Sequence, residues 1–324
     1  MKLKRIVCIL LAAALLAGGL AAGGLAVRKL YSMYKNIWNK LDSISYSVEY
    51  LYEAGRDLSK IAEKVDQLHR DAFFTGNHAD NSFDYDWMKS VPPYIAHACG
   101  GIDGKTYTNS KDAFLLNYAN GHRVFEVDFN LSNDGVLIAA HNEHDWRQMT
   151  NSDLPYTSEN FNQTLLHDQY ESLNCAEVIE LMAEYPDIYI VTDTKDQSQE
   201  KAMLAFSQLV YCAKQTHPQV LDRIIPQIYN EEMLSWISSI YPFKSVIFTL
   251  YATSWSPESV LNFCMNSGVR FITMPAAKVS ADTLCLWDTI GIHVAAHTIN
   301  DMQKIEELRQ MGVDIIYTDF VLPD

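Results

Sequence analysis

Several features are scarce in this chain of 324 residues. It has six cysteines, and no two of them form a Cys-x-x-Cys pair. Beyond Cys8, the five others (Cys99, Cys175, Cys212, Cys264 and Cys285) are odd in number and widely scattered. That spacing signals neither a disulfide framework nor a zinc site. No glycine-rich dinucleotide loop is present, which counts against an open doubly wound nucleotide-binding sheet. Basic residues are also short: 25 Lys and Arg stand against 40 Asp and Glu, a formal charge of −15. Nucleic-acid affinity is built on clustered Lys and Arg, so nucleic acid is excluded as the main partner. With 48% hydrophobic and 20% charged residues, the composition is that of a folded protein and not of a disordered one.

What charge there is lies unevenly. Residues 1–70 carry a net +5 and the remainder −20. Lys2, Lys4 and Arg5 precede an uncharged apolar run of 22 residues, Ile6 to Val27, closed by Arg28 and Lys29. Such a run is long enough to cross about 30 Å of hydrocarbon as a helix, so residues 1–29 are read as a membrane anchor. A cleaved signal peptide is the alternative, because Ala and Gly fill its second half. The length of the run and its direct continuation into a charged helix favour the anchor. If the run initiates export, the rest of the chain lies outside the cytoplasm, or is secreted after cleavage. Leu30, Tyr34, Ile37, Leu41, Ile44, Val48 and Leu51, then Leu58, Ile61, Val65 and Leu68, recur at spacings of three and four. This predicts an amphipathic, coiled-coil-like helix over 30–70, which either packs on a neighbouring surface or forms a homo-oligomer through 30–68. Residues 71–90 read as a linker.

From Val91 to Asp324, short β-rich runs alternate with helical stretches over 234 residues. Eight strands are expected: 94–98, 124–129, 188–192, 224–228, 245–250, 270–273, 293–297 and 315–318. The alternation predicts an α/β fold, a (β/α)₈ TIM barrel with its site at the C-terminal strand ends. Gly121, Gly268, Gly291 and Gly312 stand where helices end before strands. An extra strand over 136–140 is expected after the Asn133-Asp134-Gly135 turn. The stretch from Asn142 to Asn174 has little periodicity and reads as a lid.

Reading the strand ends gives His97 on the first, Glu126 and Asp128 on the second, His141 on the extra strand, and Asp193 and Lys195 on the third. Residues two apart on a strand point to the same side. Three carboxylates converging on one rim repel unless a cation joins them, and a hard divalent ion with oxygen ligands, Mg²⁺ or Ca²⁺, resolves this. Gln227, Lys278 and His297 fall near later strand ends as candidates to line a substrate pocket. Trp146, Tyr156 and Trp255 are aromatic candidates to pack against a glycerol or lipid moiety.

The order of these residues resembles the glycerophosphodiester phosphodiesterases, which share their barrel with phosphatidylinositol-type phospholipases C. The matching line is Ile95-Ala96-His97-Ala98-Cys99-Gly100, Thr108-Asn109-Ser110, Phe125-Glu126-Val127-Asp128, Asp134-Gly135, His141-Asn142, Asp193-Thr194-Lys195, Thr298-Ile299-Asn300 and Gly312-Val313-Asp314 with Thr318-Asp319. The resemblance implies a metal held by Glu126, Asp128 and Asp193, with His97 and His141 as general acid and base and Lys195 beside the phosphate. It departs at Ala98 (arginine in the family), at Asp193 (glutamate) and at Asn142 (aspartate). The expected activity is metal-dependent hydrolysis of a glycerophosphodiester, a small or lipid-derived phosphodiester. The alternatives are a phospholipase acting on intact lipid and a non-catalytic binding or assembly module.

Overall fold

The computed structural model describes residues 83–323. The anchor over 1–29, the helix and oligomer seam over 30–70 and linker residues 71–82 lie outside the described residues. Among the described residues, no helix is long and apolar enough to cross a membrane.

Eight parallel strands close into a barrel: β1 (Tyr94–Ala96), β2 (Val124–Leu131), β5 (Tyr189–Asp193), β6 (Ile224–Ile228), β7 (Ile247–Thr249), β8 (Phe271–Pro275), β9 (His293–His297) and β10 (Ile315–Thr318). Each pairs in parallel with its neighbour, and β1 joins both β2 and β10, so no edge is left open. Nine α-helices lie between them among the described residues: α1 (Lys111–Ala119), α2 (Glu143–Thr150), α3 (Ser158–Gln163), α4 (Cys175–Glu184), α5 (Gln199–Thr216), α6 (Glu231–Ile240), α7 (Pro257–Ser267), α8 (Ala281–Asp288) and α9 (Met302–Met311). Gly268 and Gly312 end α7 and α9 in the left-handed conformation, which spares them a Cβ clash. The expected extra strand is β3 (Leu137–Ala139), antiparallel to the extended end of β2, and a short β4 (Leu173–Asn174) pairs with it.

The stretch 142–174 is more regular than its sequence suggests. Asn142 caps α2 and Thr157 caps α3, each accepting a backbone N–H with its side chain. Trp146 and Tyr156 face inward and are 1% exposed, so they are core and not substrate-facing.

The linker boundary moves as well. Residues 83–90 belong to the barrel: Asp84 N–H donates to the Lys244 carbonyl, and the Tyr85 hydroxyl donates to that of Val246. A 3₁₀ turn, Asp86–Ser90, sets Trp87 against the inner layer formed by Ile95, Val124, Val191, Ile225, Ile247 and Phe271. Its indole stacks on Phe271 at 5.9 Å and on Tyr189 at 5.4 Å. Trp87 is therefore the plug at the N-terminal end of the barrel. Trp87→Ala is expected to cost about 3–5 kcal/mol of stability, read from the chemical-denaturation midpoint. The opposite rim keeps its activity per folded molecule.

Candidate active site

The strand register does the assembling. β2 and β5 are neighbours in which Asp128 stands level with Asp193, and Glu126 lies one alternation lower on the same inward face. Carboxylate oxygens of Glu126, Asp128 and Asp193 all lie within 4.8 Å of one another, and all three residues are buried. Asn109 locks Asp128 in a reciprocal pair: its amide donates to Asp128 Oδ2 at 2.9 Å, and its Oδ1 accepts the Asp128 N–H at 2.9 Å.

His97 follows β1 directly. The chain turns there through left-handed Ala98 and Cys99, and the Ala98 N–H donates to Glu126 Oε2 at 2.6 Å. Gly100 continues the turn at a φ of +85°, and a Cβ there would lie 2.4 Å from the Asn117 amide. His97 Nδ1 is 2.8 Å from Asp319 Oδ1, and Asp319 Oδ2 accepts from Asn300 Nδ2 at 2.9 Å. The closing Asn300 and Asp319 motifs thus hold the first histidine.

His141 lies just beyond β3. Its Nδ1 is 2.5 Å from Asp145 Oδ2 on α2, and the Asn142 amide donates to the same oxygen at 2.9 Å. A carboxylate is missing at position 142 but is supplied one helical turn after His141. Asn142 in turn caps the helix that presents it.

Lys195 takes a left-handed backbone conformation after β5, which folds its side chain back over the carboxylates. Its ammonium is 2.8 Å from Asp128 Oδ1 and also pairs with Asp193. The Tyr229 hydroxyl donates to Asp193 Oδ1. The cavity at this rim, about 180 Å³, is lined by His97, Glu126, His141, Asp193, Lys195, Gln227 and His297, with Tyr107, Tyr229, Tyr251 and Tyr317 as aromatic walls. Tyr107 stands between the two histidines, 4.7 Å from the ring of His97 and 4.9 Å from that of His141. Lys278 is not brought here. Its ammonium donates to the carbonyls of Leu250 and Thr253, tying down the loop after β7.

The electrostatics follow from burial and charge. Burial and the neighbouring Asp128 push Glu126 up to about 8. Burial also opposes ionisation of Asp128, but Lys195, His141 and His97 hold it below its usual range. Burial works against the His97 imidazolium, yet the Asp319 hydrogen bond and the charges of Glu126, Asp128 and Asp319 outweigh it and lift His97 to about 9. Burial, with the positive charges of His97, Lys195 and Lys278, lowers His297 to about 4 and leaves it neutral.

The donor set fits a hard divalent cation. It is all carboxylate oxygen, and Glu126 Oε1 is buried with no hydrogen-bond partner among the described residues. Burial, ahead of the charge of Asp128, is what disfavours an ionised Glu126 here, and a bound cation would relieve both.

The model of the glycerophosphoryl diester phosphodiesterase family matches residues 101–322, more than half of the chain. The chain belongs to this family. It is accordingly a phosphoric diester hydrolase. The matched segment begins four residues after His97, so that histidine is tied to the site by geometry, through Asp319. No curated protein matches the chain significantly. Among solved structures, an Oleispira antarctica phosphodiesterase in complex with the product sn-glycerol-3-phosphate is 20% identical, with a TM-score of 0.59 over 72% of this chain and 95% of that one. A Thermotoga maritima glycerophosphodiester phosphodiesterase is 19% identical, with a TM-score of 0.55 over 70% and 94%. A Parabacteroides distasonis glycerophosphodiester phosphodiesterase is 17% identical, with a TM-score of 0.57 over 71% and 94%. At these identities the likeness is one of fold, an α/β TIM barrel.

Proposed function

We propose that this family member hydrolyses a glycerophosphodiester to an alcohol and glycerol phosphate in the cavity at the C-terminal rim. One observation carries the reading: two carboxylate-backed histidines flank a buried three-carboxylate cluster at one barrel mouth. Product-bound glycerol phosphate in the Oleispira antarctica relative supports the same substrate class. Glu126, Asp128 and Asp193 would hold Mg²⁺ or Ca²⁺, which supplies charge neutralisation to the phosphoryl oxygens. Lys195, the one Lys or Arg among the described lining residues, adds a second positive charge to the same oxygens and stands in for the arginine absent at Ala98. His97, held as imidazolium by Asp319, donates its proton to the leaving alkoxide. His141, oriented by Asp145, takes a proton from the attacking water, whose oxygen is left on the phosphorus of the glycerol phosphate product. Gln227 and His297 line the far wall and offer neutral hydrogen-bonding groups to the substrate.

The reading includes tethering at a membrane. The apolar run 6–27 supports an anchor with the barrel outside the cytoplasm, and the seam over 30–68 supports self-association. N-terminal sequencing of the mature chain separates an anchored protein from a secreted one.

Incubation with a panel of glycerophosphodiesters and added Mg²⁺ or Ca²⁺ tests the activity. Release of glycerol phosphate and free alcohol, abolished by chelation, is the expected result. Diacylglycerol or a cyclic phosphate released from intact lipid would instead favour the phospholipase reading. Hydrolysis of no diester would leave a binding module.

A further inference from the structure

The loop between β1 and α1 carries one large side chain that neither the apolar core nor the proton transfers use. Tyr107 is 38% exposed and joins neither apolar cluster, yet its backbone is left-handed at a φ of +60°. A bulky residue rarely adopts that conformation, so the surrounding structure has to hold it there. The residues that follow do so. Asn109 is locked to Asp128, the Asn109 N–H donates to the Ala98 carbonyl at 3.2 Å, and Ser110 caps α1. The turn that presents Tyr107 is thus built onto the carboxylate cluster itself.

Its ring lines the catalytic cavity and lies within 5 Å of both histidine rings, so a diester that reaches both histidines also lies against Tyr107. In phosphoryl transfer the attacking and leaving oxygens lie roughly in line, and negative charge is spread over the three equatorial oxygens. His97 and His141 serve the leaving and attacking oxygens. Tyr107, beside both of them, is left to face the equatorial ones. Its hydroxyl is uncommitted, making no hydrogen bond to the described residues, whereas the hydroxyls of Tyr229 and Tyr317 donate to Asp193 and Gln227. Burial, and then the charges of Asp319 and Asp128, raise its ionisation above the usual phenol range, so it stays protonated and able to donate.

We propose that Tyr107 is a further catalytic residue, whose hydroxyl donates a hydrogen bond to an equatorial phosphoryl oxygen of the diester held between His97 and His141. The inference rests on the phosphodiesterase reading above. Tyr107 transfers no proton. Its O–H bond stays whole, and the hydrogen bond strengthens as negative charge gathers on the oxygen it meets. It adds a neutral donor to the charge that Lys195 brings to the same phosphate.

Tyr107→Phe in the full chain tests it. The variant keeps the ring and breaks no hydrogen bond among the described residues, so its denaturation midpoint should match that of the unmodified chain. With Mg²⁺ or Ca²⁺ present, kcat/KM for the most rapidly cleaved diester of the panel above should fall about tenfold, a loss of about 1.4 kcal/mol. Both limbs of the pH–rate profile should stay in place, because His97 and His141 still move the protons. An unchanged kcat/KM would overturn the proposal while hydrolysis stands. So would a loss accompanied by shifted limbs, which would make the ring a spacer acting through the histidines. If no diester is cleaved, calorimetric titration with sn-glycerol-3-phosphate decides, since it needs no turnover. Affinity about tenfold weaker in the variant then upholds the hydroxyl contact, and only the phosphodiesterase reading fails. Equal or undetectable affinity in both forms overturns the contact as well.

Discussion

Replacing His97 with Asn is expected to lower glycerophosphodiester turnover by on the order of 10²–10⁴-fold, the range a positioned proton donor contributes. The residue is 9% exposed and its ring is clamped by Asp319, so no mobile water substitutes for it at that point. The proton it delivers is held by an extended chain. Asn300 donates to Asp319 and accepts the N–H groups of Asp319 and Phe320, so the carboxylate is itself fixed. Asp319→Asn is the complementary variant. It removes one of the charges that lift His97 and leaves at best a neutral hydrogen bond in place of the charge-assisted one, so the alkaline limb of the pH–rate profile should move to lower pH. The acid form is the active one, so rate is lost as pH rises through the His97 value and is lost earlier in the variant. A variant with lower kcat but an unmoved alkaline limb would assign Asp319 a purely structural part.

How much of this was legible beforehand differs between strand and loop. β6, β9 and β10 match their expected ranges, and burial of their central residues in the barrel enforces what the sequence favours. β1 stops at Ala96, two residues short of its expected end, because the turn that aims His97 needs left-handed Ala98 and Cys99. The helices α2 and α3 were hidden by their length. Eight and six residues give too few turns for a 3.6-residue period to stand out, and only the caps Asn142 and Thr157 signalled them.

The same division holds in the site. Glu126, Asp128 and Asp193 could be read from strand periodicity, since side chains two apart share a face. Asp145 could not, because its nearness to His141 depends on α2 beginning at Glu143. Once that helix is granted, the i to i+4 spacing from His141 makes the contact natural. Tyr107, Tyr251 and Tyr317 were missed for a different reason. Aromatic residues carry no chemistry-specific spacing, and only closure of the barrel turns them toward one cavity. Tyr229 did carry a signal, being the first residue after β6 at the C-terminal rim. Lys278 shows the converse error: its position near a strand end was right for the site, yet its ammonium is engaged by two loop carbonyls.

Glu126→Gln should separate stability from activity in a way that tests the carboxylate cluster directly. Metal-dependent turnover is expected to fall on the order of 10²–10³-fold, the cost of removing one charge-stabilising group. Metal-free stability should move the other way at alkaline pH. Glu126 ionises at about 8 in the folded chain against 4.5 for an unperturbed glutamate, so between these values the folded state binds more protons than the unfolded one. The wild-type protein therefore loses stability as pH rises through that window, by up to about 1.4 kcal/mol per pH unit from this group, and keeps it fully only below about 4.5. The glutamine side chain of the variant has no proton to lose, so that part of the slope should vanish in chemical denaturation carried out in chelator at a series of pH values. A divalent cation should raise the wild-type midpoint most at high pH, where Glu126 has lost its proton, and should raise the variant's far less. A wild-type protein whose metal-free stability is flat across this window, with no gain from Mg²⁺ or Ca²⁺, would mean that the three buried carboxylates are neutralised within the chain. Lys195 would then be their counter-ion and not a partner of the phosphate.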